Sequence, residues 1–286
     1  MIRNLNPNEY PELLREIPEP PKRLRYEGTL PIPGNKLLTI VGARKNSQYG
    51  KDVCEELILS LSGQPITIIS GLALGIDAIA HRASIRAGLQ TIAVPGSGLS
   101  RKVLYPRTNV NLAQEILENG GGLLSEFEDD MPAYSWSFPK RNRIMAGMCH
   151  ATIVVEAEKK SGTLITSRLA TEYNREVGAI PGSIFSTTSE GPHLLLKLGA
   201  SIIRDKNDVL ELLRLDAIED KISESVINEL SNEEKTIMSL LDEPKEKNEL
   251  LRQSGIDTSL ATAILSLLEI KGLIKEEMGE VKKTFI

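Results

Sequence analysis

Hydrophobic positions fall into two alternating patterns along the chain. Short apolar runs rich in β-branched residues occupy 37–41 (LLTIV), 66–70 (ITIIS), 91–95 (TIAVP), 122–126 (GLLSE), 151–157 (ATIVVEA), 175–181 (REVGAIP) and 200–204 (ASIIR), and they predict seven strands. Between them, 48–62, 75–88, 109–119, 139–148, 163–174 and 191–198 carry apolar residues at helical spacing and predict six helices. Strands that are apolar throughout are buried on both faces, and strands that alternate with helices are joined by crossovers. The pattern therefore predicts an α/β domain over residues 36–212, built on a doubly wound, mostly parallel sheet.

Outside that domain the pattern changes. Residues 1–35 form a lead-in segment, and 213–230 an acidic linker. In 231–286, NEEKTIMSLL, EKNELLRQSG and SLATAILSLLEI predict three short helices, and LIKEEM and VKKTFI, set off by Gly272 and Gly279, predict a hairpin. Three helices and a hairpin describe a small C-terminal winged-helix domain. A winged helix that reads DNA places Arg, Lys or Asn on its third helix. SLATAILSLLEI has none, so a protein-contact or regulatory module is expected, with Lys282 and Lys283 leaving weak DNA contact open.

Composition narrows the function classes. The 286 residues carry only Cys54 and Cys149, both in apolar segments without a CxxC or Cys/His cluster, so core thiols are expected and a zinc site or disulfide framework is not. The first residues, MIRNLNPNEYPELL, lack the apolar stretch of a signal peptide, and no run approaches the roughly 20 apolar residues of a membrane span. A cytoplasmic protein without membrane contact is the expectation. The net charge of -5 is unevenly spread: 205–286 carries 11 Lys+Arg against 19 Asp+Glu, or -8, leaving 23 against 20, or +3, for 1–204. The first part can therefore take a polyanion.

The turns that follow the predicted strands are Gly42-Ala43-Arg44, Ser70-Gly71, Pro95-Gly96-Ser97-Gly98, Ser125-Glu126, Ser161-Gly162-Thr163 and Pro181-Gly182-Ser183. In a parallel sheet all of them lie on the edge where α/β proteins bind ligands, and helix N-termini there offer N–H groups to phosphates. Gly and Ser serve turn chemistry alone at any one of these places. Arginines shift the balance, because Arg44, Arg107 after Tyr105-Pro106, and Arg141 and Arg143 beside Lys140 and Asn142 can converge on that edge. A Walker A loop is absent, GSGLSR at 96–101 ends in Arg101 where GxGxxG ends in Gly, and Ser70-Gly71 stands where a dinucleotide fold often carries an acidic ribose ligand. Nucleoside triphosphate and NAD are disfavoured, and no cofactor is expected. A polynucleotide backbone suits the pattern better, with Phe138 and Tyr105 available to stack on bases; a core anchor is the alternative for Phe138. Asp77 and His81, four residues apart, fit a structural hydrogen bond, while His150 and His193 are isolated.

These segments also carry a resemblance. VGARKNSQYG (41–50), SGLALGIDAIAH (70–81), TIAVPGSGL with YPRTN (91–109), LLSEF (123–127), FPKRNRIMAG (138–147), VVEAEKKSGTLIT (154–166) and PGS followed by EGPHLLLKLGA (181–200) together resemble the DNA-processing protein A family, DprA/Smf. The resemblance implies an extended Rossmann fold and a bacterial cytoplasmic protein that is not an enzyme. Such a protein binds single-stranded DNA, dimerises, and helps load the RecA recombinase on DNA taken up in natural transformation. It places a phosphate pocket on Gly42 and Arg44, a basic contact on Arg107, the RNR cluster on Arg141, Asn142 and Arg143, and helix N-terminal donors on Ser161, Gly162 and Thr163. For Arg143, burial against Glu126 or Glu156 is the structural alternative. The chain departs from the family where many members carry a helical domain ahead of the first strand, and at Ser100, where Asp is common.

Two rival classes remain. A nucleotide-hydrolysing enzyme of the lysine-decarboxylase-like type carries PGGxGTxxE, whereas SGTLITSR here lacks the acidic residue. A nuclease needs clustered carboxylates for metal ions, and Asp129 and Asp130 fall in a predicted surface loop. The segment HLLLKLGASII (193–203) is apolar on more than one face and leads into the last strand, so Leu195 and Ile202 are expected at a homodimer interface.

Overall fold

In the computed structural model residues 1–216, 230–241, 243–271, 273–277 and 279–283 are described. The chain divides into two compact units, Met1–Ile218 and Glu219–Ile286.

The first unit is built on nine strands: β1 (Arg3–Leu5), β2 (Leu24–Gly28), β3 (Lys36–Val41), β4 (Ile66–Ser70), β5 (Thr91–Ala93), β6 (Gly122–Ser125), β7 (Ala151–Val154), β8 (Glu176–Ala179) and β9 (Ser201–Ile202). Their order across the sheet is β1-β2-β6-β5-β4-β3-β7-β8-β9. The seven strands from β6 to β9 in that order run parallel, as their apolar runs predict, and β1 and β2 add an antiparallel margin beyond β6. Residues 1–35 thus supply two strands of the sheet. Continuous apolar runs did not betray these strands, since β2 buries fully only Leu24 and β1 only Leu5.

Helices α1 (Glu12–Arg15), α2 (Gln48–Ser60), α3 (Ile76–Arg86), α4 (Val110–Glu118), α5 (Ser137–Met148), α6 (Thr163–Glu172), α7 (Glu190–Lys197) and α8 (Lys206–Leu213) cover the sheet. Side chains alternate across a strand, and β3 shows the division. Leu38 and Ile40 enter one core with Leu57 and Ile58 of α2, Ile76 of α3 and Leu212 of α8. Leu37 and Val41 enter the opposite core with Ile144 and Met145 of α5 and Leu14 of α1. Each such fully buried Leu or Ile contributes about 1.5–3 kcal/mol. Cys54 and Cys149 lie in these two cores, and burial raises both thiol pKa values, so neither is a reactive thiolate.

The second unit holds helices Asn232–Leu240, Lys247–Ser254 and Thr258–Ile270, and strands Lys245–Glu246, Ile274–Glu277 and Glu280–Lys283 in one antiparallel sheet. Ile237, Leu250, Leu265, Leu268 and Val281 form its core. Its first helix opens on a capping box, in which Ser231 Oγ accepts the Glu234 N–H and the Glu234 carboxylate accepts the Ser231 N–H. Residues 217–229, most of the predicted linker, lie outside the described residues; Leu213 ends α8, and Leu230 packs in the second core. Among the described residues no helix is long and apolar enough to cross a membrane.

Candidate functional site

The strand order reverses at β3. From β3 the chain builds outward to β4, β5 and β6, and then returns to place β7 on the other side of β3. The loops leaving β3 and β7 diverge there, which opens the crevice where doubly wound sheets bind ligands. A cleft of about 410 Å³ occupies that place, with Gly42, Arg44 and Lys45 on one wall, Glu158 and Lys160–Thr163 on the other, and Phe138, Arg141 and Asn142 of α5 beneath.

Local chemistry fixes these walls. A Cβ on Gly42 would collide with Ile76, so the β3 loop runs tight over the start of α3. The Thr163 hydroxyl donates to the Gly42 carbonyl at 3.1 Å, linking the two walls, and Ser161 Oγ accepts the Thr163 N–H at 3.2 Å. Asn142 Nδ2 reaches the Gly162 carbonyl at 3.5 Å. Arg44 is exposed, and its guanidinium stands 5.0 Å from the Phe138 ring centroid. Phe138 also meets Tyr105 at 5.7 Å, and a small hollow beside the cleft is lined by Arg44, Gly71, Tyr105, Pro106 and Phe138. Among the described residues Arg44, Lys45 and Lys160 form no salt bridge. Three cations without a salt bridge thus share one cleft with the Glu158 carboxylate.

The other cations of the predicted cluster are engaged elsewhere. Arg141 is 4% exposed and spans the ends of β4 and β5, donating to the Gly71 carbonyl at 2.6 Å, to the Val94 carbonyl, and through Nε to Asn142 Oδ1 at 3.1 Å. Burial lowers its pKa to about 10, still charged at neutral pH. It is a positioning residue under the cleft. Asp77 beside it accepts the N–H groups of Gly71 and Ala73 at 3.1 and 3.4 Å, and burial raises its carboxyl against the pull of Arg141. Arg143 points to the other face of α5, donating to the Glu19 carbonyl at 2.7 Å and pairing with Glu126, which also attracts Lys140 at 3.6 Å. Burial holds the Glu126 carboxyl above its ordinary value. Its structural alternative is therefore the geometry found, with Glu126 as partner; Glu156 instead accepts from Ser47 and Thr188.

Several predicted turn residues are likewise committed. Ser70 Oγ donates to the Ile40 carbonyl at 2.7 Å and is fully buried, and the Gly71 N–H is held by Asp77. Gly96 packs under Phe138, and the Gly98 N–H donates to the Met131 carbonyl at 2.8 Å, so neither opens on the cleft. Arg107 follows the cis Tyr105–Pro106 bond and donates to the carbonyls of Arg101 and Lys102, outside the cleft lining. His81 does not pair with Asp77: its Nδ1 lies 2.7 Å from Thr91 Oγ1, and burial drives its pKa down to about 3. Lys45 and Lys160 were not singled out from the sequence, although each adjoins a predicted turn, Lys45 after Arg44 and Lys160 before Ser161-Gly162-Thr163. Leu195 packs against the α5 core, whereas Ile202 and its neighbours Leu194 and Leu198 are exposed.

A sequence model described as DNA recombination-mediator protein A matches residues 2–214. The chain belongs to that family. Over 201 residues it is 42% identical to DNA processing protein DprA of Streptococcus pneumoniae R6, covering 70% of each chain. Over 205 residues it is 42% identical to Protein Smf of Escherichia coli K12, covering 72% of this chain and 54% of that protein, about half its length. The X-ray structure of DprA from Streptococcus pneumoniae superposes with a TM-score of 0.69 at 39% identity, covering 73% of this chain and 74% of that one. DNA processing protein A from Helicobacter pylori, solved for its single-stranded DNA binding mode, gives 0.65 at 29% identity, covering 74% and 95%. Every DprA-family segment named above falls within the matched residues, and the second unit lies beyond them.

Proposed function

We propose that this chain binds single-stranded DNA in the cleft between the β3 and β7 loops. The observation that carries the reading is the convergence of Arg44, Lys45 and Lys160, none in a salt bridge among the described residues, on one cleft that Phe138 also lines, with Arg44 over its ring. Cations along a groove hold the backbone of any sequence, and an aromatic face stacks on any base. The solved relative from Helicobacter pylori supports the choice of ligand. Asp77 is occupied by backbone N–H groups, which favours a binder over a hydrolase.

In the same reading the protein is a homodimer joined at the β9 end of its sheet, protects single strands in the bacterial cytoplasm, and helps load RecA on them during natural transformation and recombination. The unit after residue 218 is a winged-helix domain that meets a protein partner.

Polarisation of labelled oligothymidylate, titrated with salt and compared with a duplex of equal length, tests the binding. Affinity for the single strand that falls linearly with log salt is expected. Equal or tighter duplex binding, or none of either, overturns the proposal.

A further inference from the structure

Opposite the cleft, α5 carries a second aromatic group that the cleft does not use. Residues two apart near the start of a helix face opposite sides. Phe138 turns toward the cleft, and Trp136, which caps α5, turns away from it. The rings of Tyr134 and Trp136 lie parallel, within 5°, with centroids 5.9 Å apart. Both are about half exposed, at 48% and 52%. Phe127, buried, braces the indole edge-on at 5.8 Å and 83°. The Lys140 ammonium stands 5.9 Å from the Trp136 ring and 5.7 Å from the Phe127 ring.

We propose that Tyr134 and Trp136 form a stacking platform for bases of the same DNA strand after it leaves the cleft over the N-terminal end of α5. This extends the single-stranded DNA reading and rests on it.

Three observations point to nucleobases as the occupant. The rings are pre-set by Phe127 and by the Tyr134 N–H, which donates to Ser137 Oγ at 3.0 Å, so stacking orders little that is not already ordered. Three nearby carboxylates are paired, Glu126 with Arg143, Glu128 with Arg23 and Arg25, and Asp129 with Arg25. Lys140 supplies a cation beside the platform for the flanking phosphate. Continuity decides the strand's path, because a helix is about 10–12 Å across with its side chains and a few nucleotides span that distance. A short oligonucleotide therefore fills the cleft alone, and a longer one reaches the platform.

Trp136 is the single tryptophan of the chain, so its emission reports on the platform without a label. With the full chain, oligothymidylate of about 20 nucleotides is expected to quench Trp136 emission, while one of about four binds by polarisation without quenching it. Trp136→Ala and Tyr134→Ala should each weaken the long oligonucleotide about tenfold and leave the short one unchanged, and Trp136→Phe should restore most of the loss. Unchanged emission when polarisation shows the long oligonucleotide bound overturns the platform while sparing the cleft, as do alanine variants that bind it like the parent. Absence of binding by either oligonucleotide instead removes the cleft reading, and the platform with it.

Discussion

Arg44 from one wall of the cleft and Phe138 from its floor reach the same point, the guanidinium 5.0 Å from the centre of the ring. A phosphate held by the cation would carry its base within reach of the aromatic face, so one contact pair serves both halves of a nucleotide.

Arg44→Ala is therefore expected to weaken single-strand binding about 10- to 150-fold for every sequence, the loss of one charge-assisted contact, and to flatten the salt slope by about 0.7. Lys160→Ala should act in the same direction. Arg107→Ala should change the slope little, because its guanidinium rests on the carbonyls of Arg101 and Lys102. A salt titration of each variant separates them, and an unchanged slope in Arg44→Ala removes that residue from the site.

Arg141→Met should fail differently. It leaves the Gly71 and Val94 carbonyls without their buried donor, at a cost of about 2–4 kcal/mol. For a unit of this size the melting temperature then falls by roughly 5–15 °C. Thermal unfolding followed by circular dichroism reads the loss. A variant as stable as the parent would show that the buried guanidinium does not hold the strand ends together.

Acid should erode the fold through His81. Its pKa is about 3 in the folded chain against the ordinary 6.5, so between those values the unfolded chain binds a proton that the folded chain does not. The contribution is present above pH 6.5 and is lost as pH falls toward 3, by about 1.4 kcal/mol per unit. Asp77 and Glu126, raised by burial, act in the opposite sense. Urea unfolding of the parent and of His81→Gln at pH 7, 6 and 5 isolates the histidine. The variant should lose one proton of pH dependence, and parallel curves would refute the assignment.

Leu198 and Ile202 are 74% and 46% exposed near the β9 margin, whereas Leu195 packs inward. Leu198→Glu or Ile202→Glu should give folded monomers by light scattering, and Leu195→Glu should unfold. A parent that is already monomeric at micromolar concentration would sink the dimer.

The parallel core was legible because LLTIV, ITIIS and ATIVVEA carry apolar residues on both faces, with few polar interruptions, as a strand buried on both sides requires. The antiparallel margin was not, since LRYEG offers one fully buried residue, and its pairing to β6 is a long-range choice that no local period records. The cleft's place followed from turn chemistry. So did Arg44, but the cations of FPKRNR did not, because that string names residue types while helix rotation sends Arg141 under the floor and Arg143 to Glu126. Lys45 and Lys160 show the reverse case, ordinary surface lysines until two distant loops bring them to one crevice.

The sheet closes on a strand of only two residues, Ser201 and Ile202, at its far margin. Such a stub offers almost no rail of free N–H and C=O groups for another strand to extend. Two copies meeting at this margin would have to meet through leucine and isoleucine side chains, with no shared ladder between their sheets. An association of that kind comes apart without unzipping any backbone pairing, so subunits could exchange freely while each sheet stays intact.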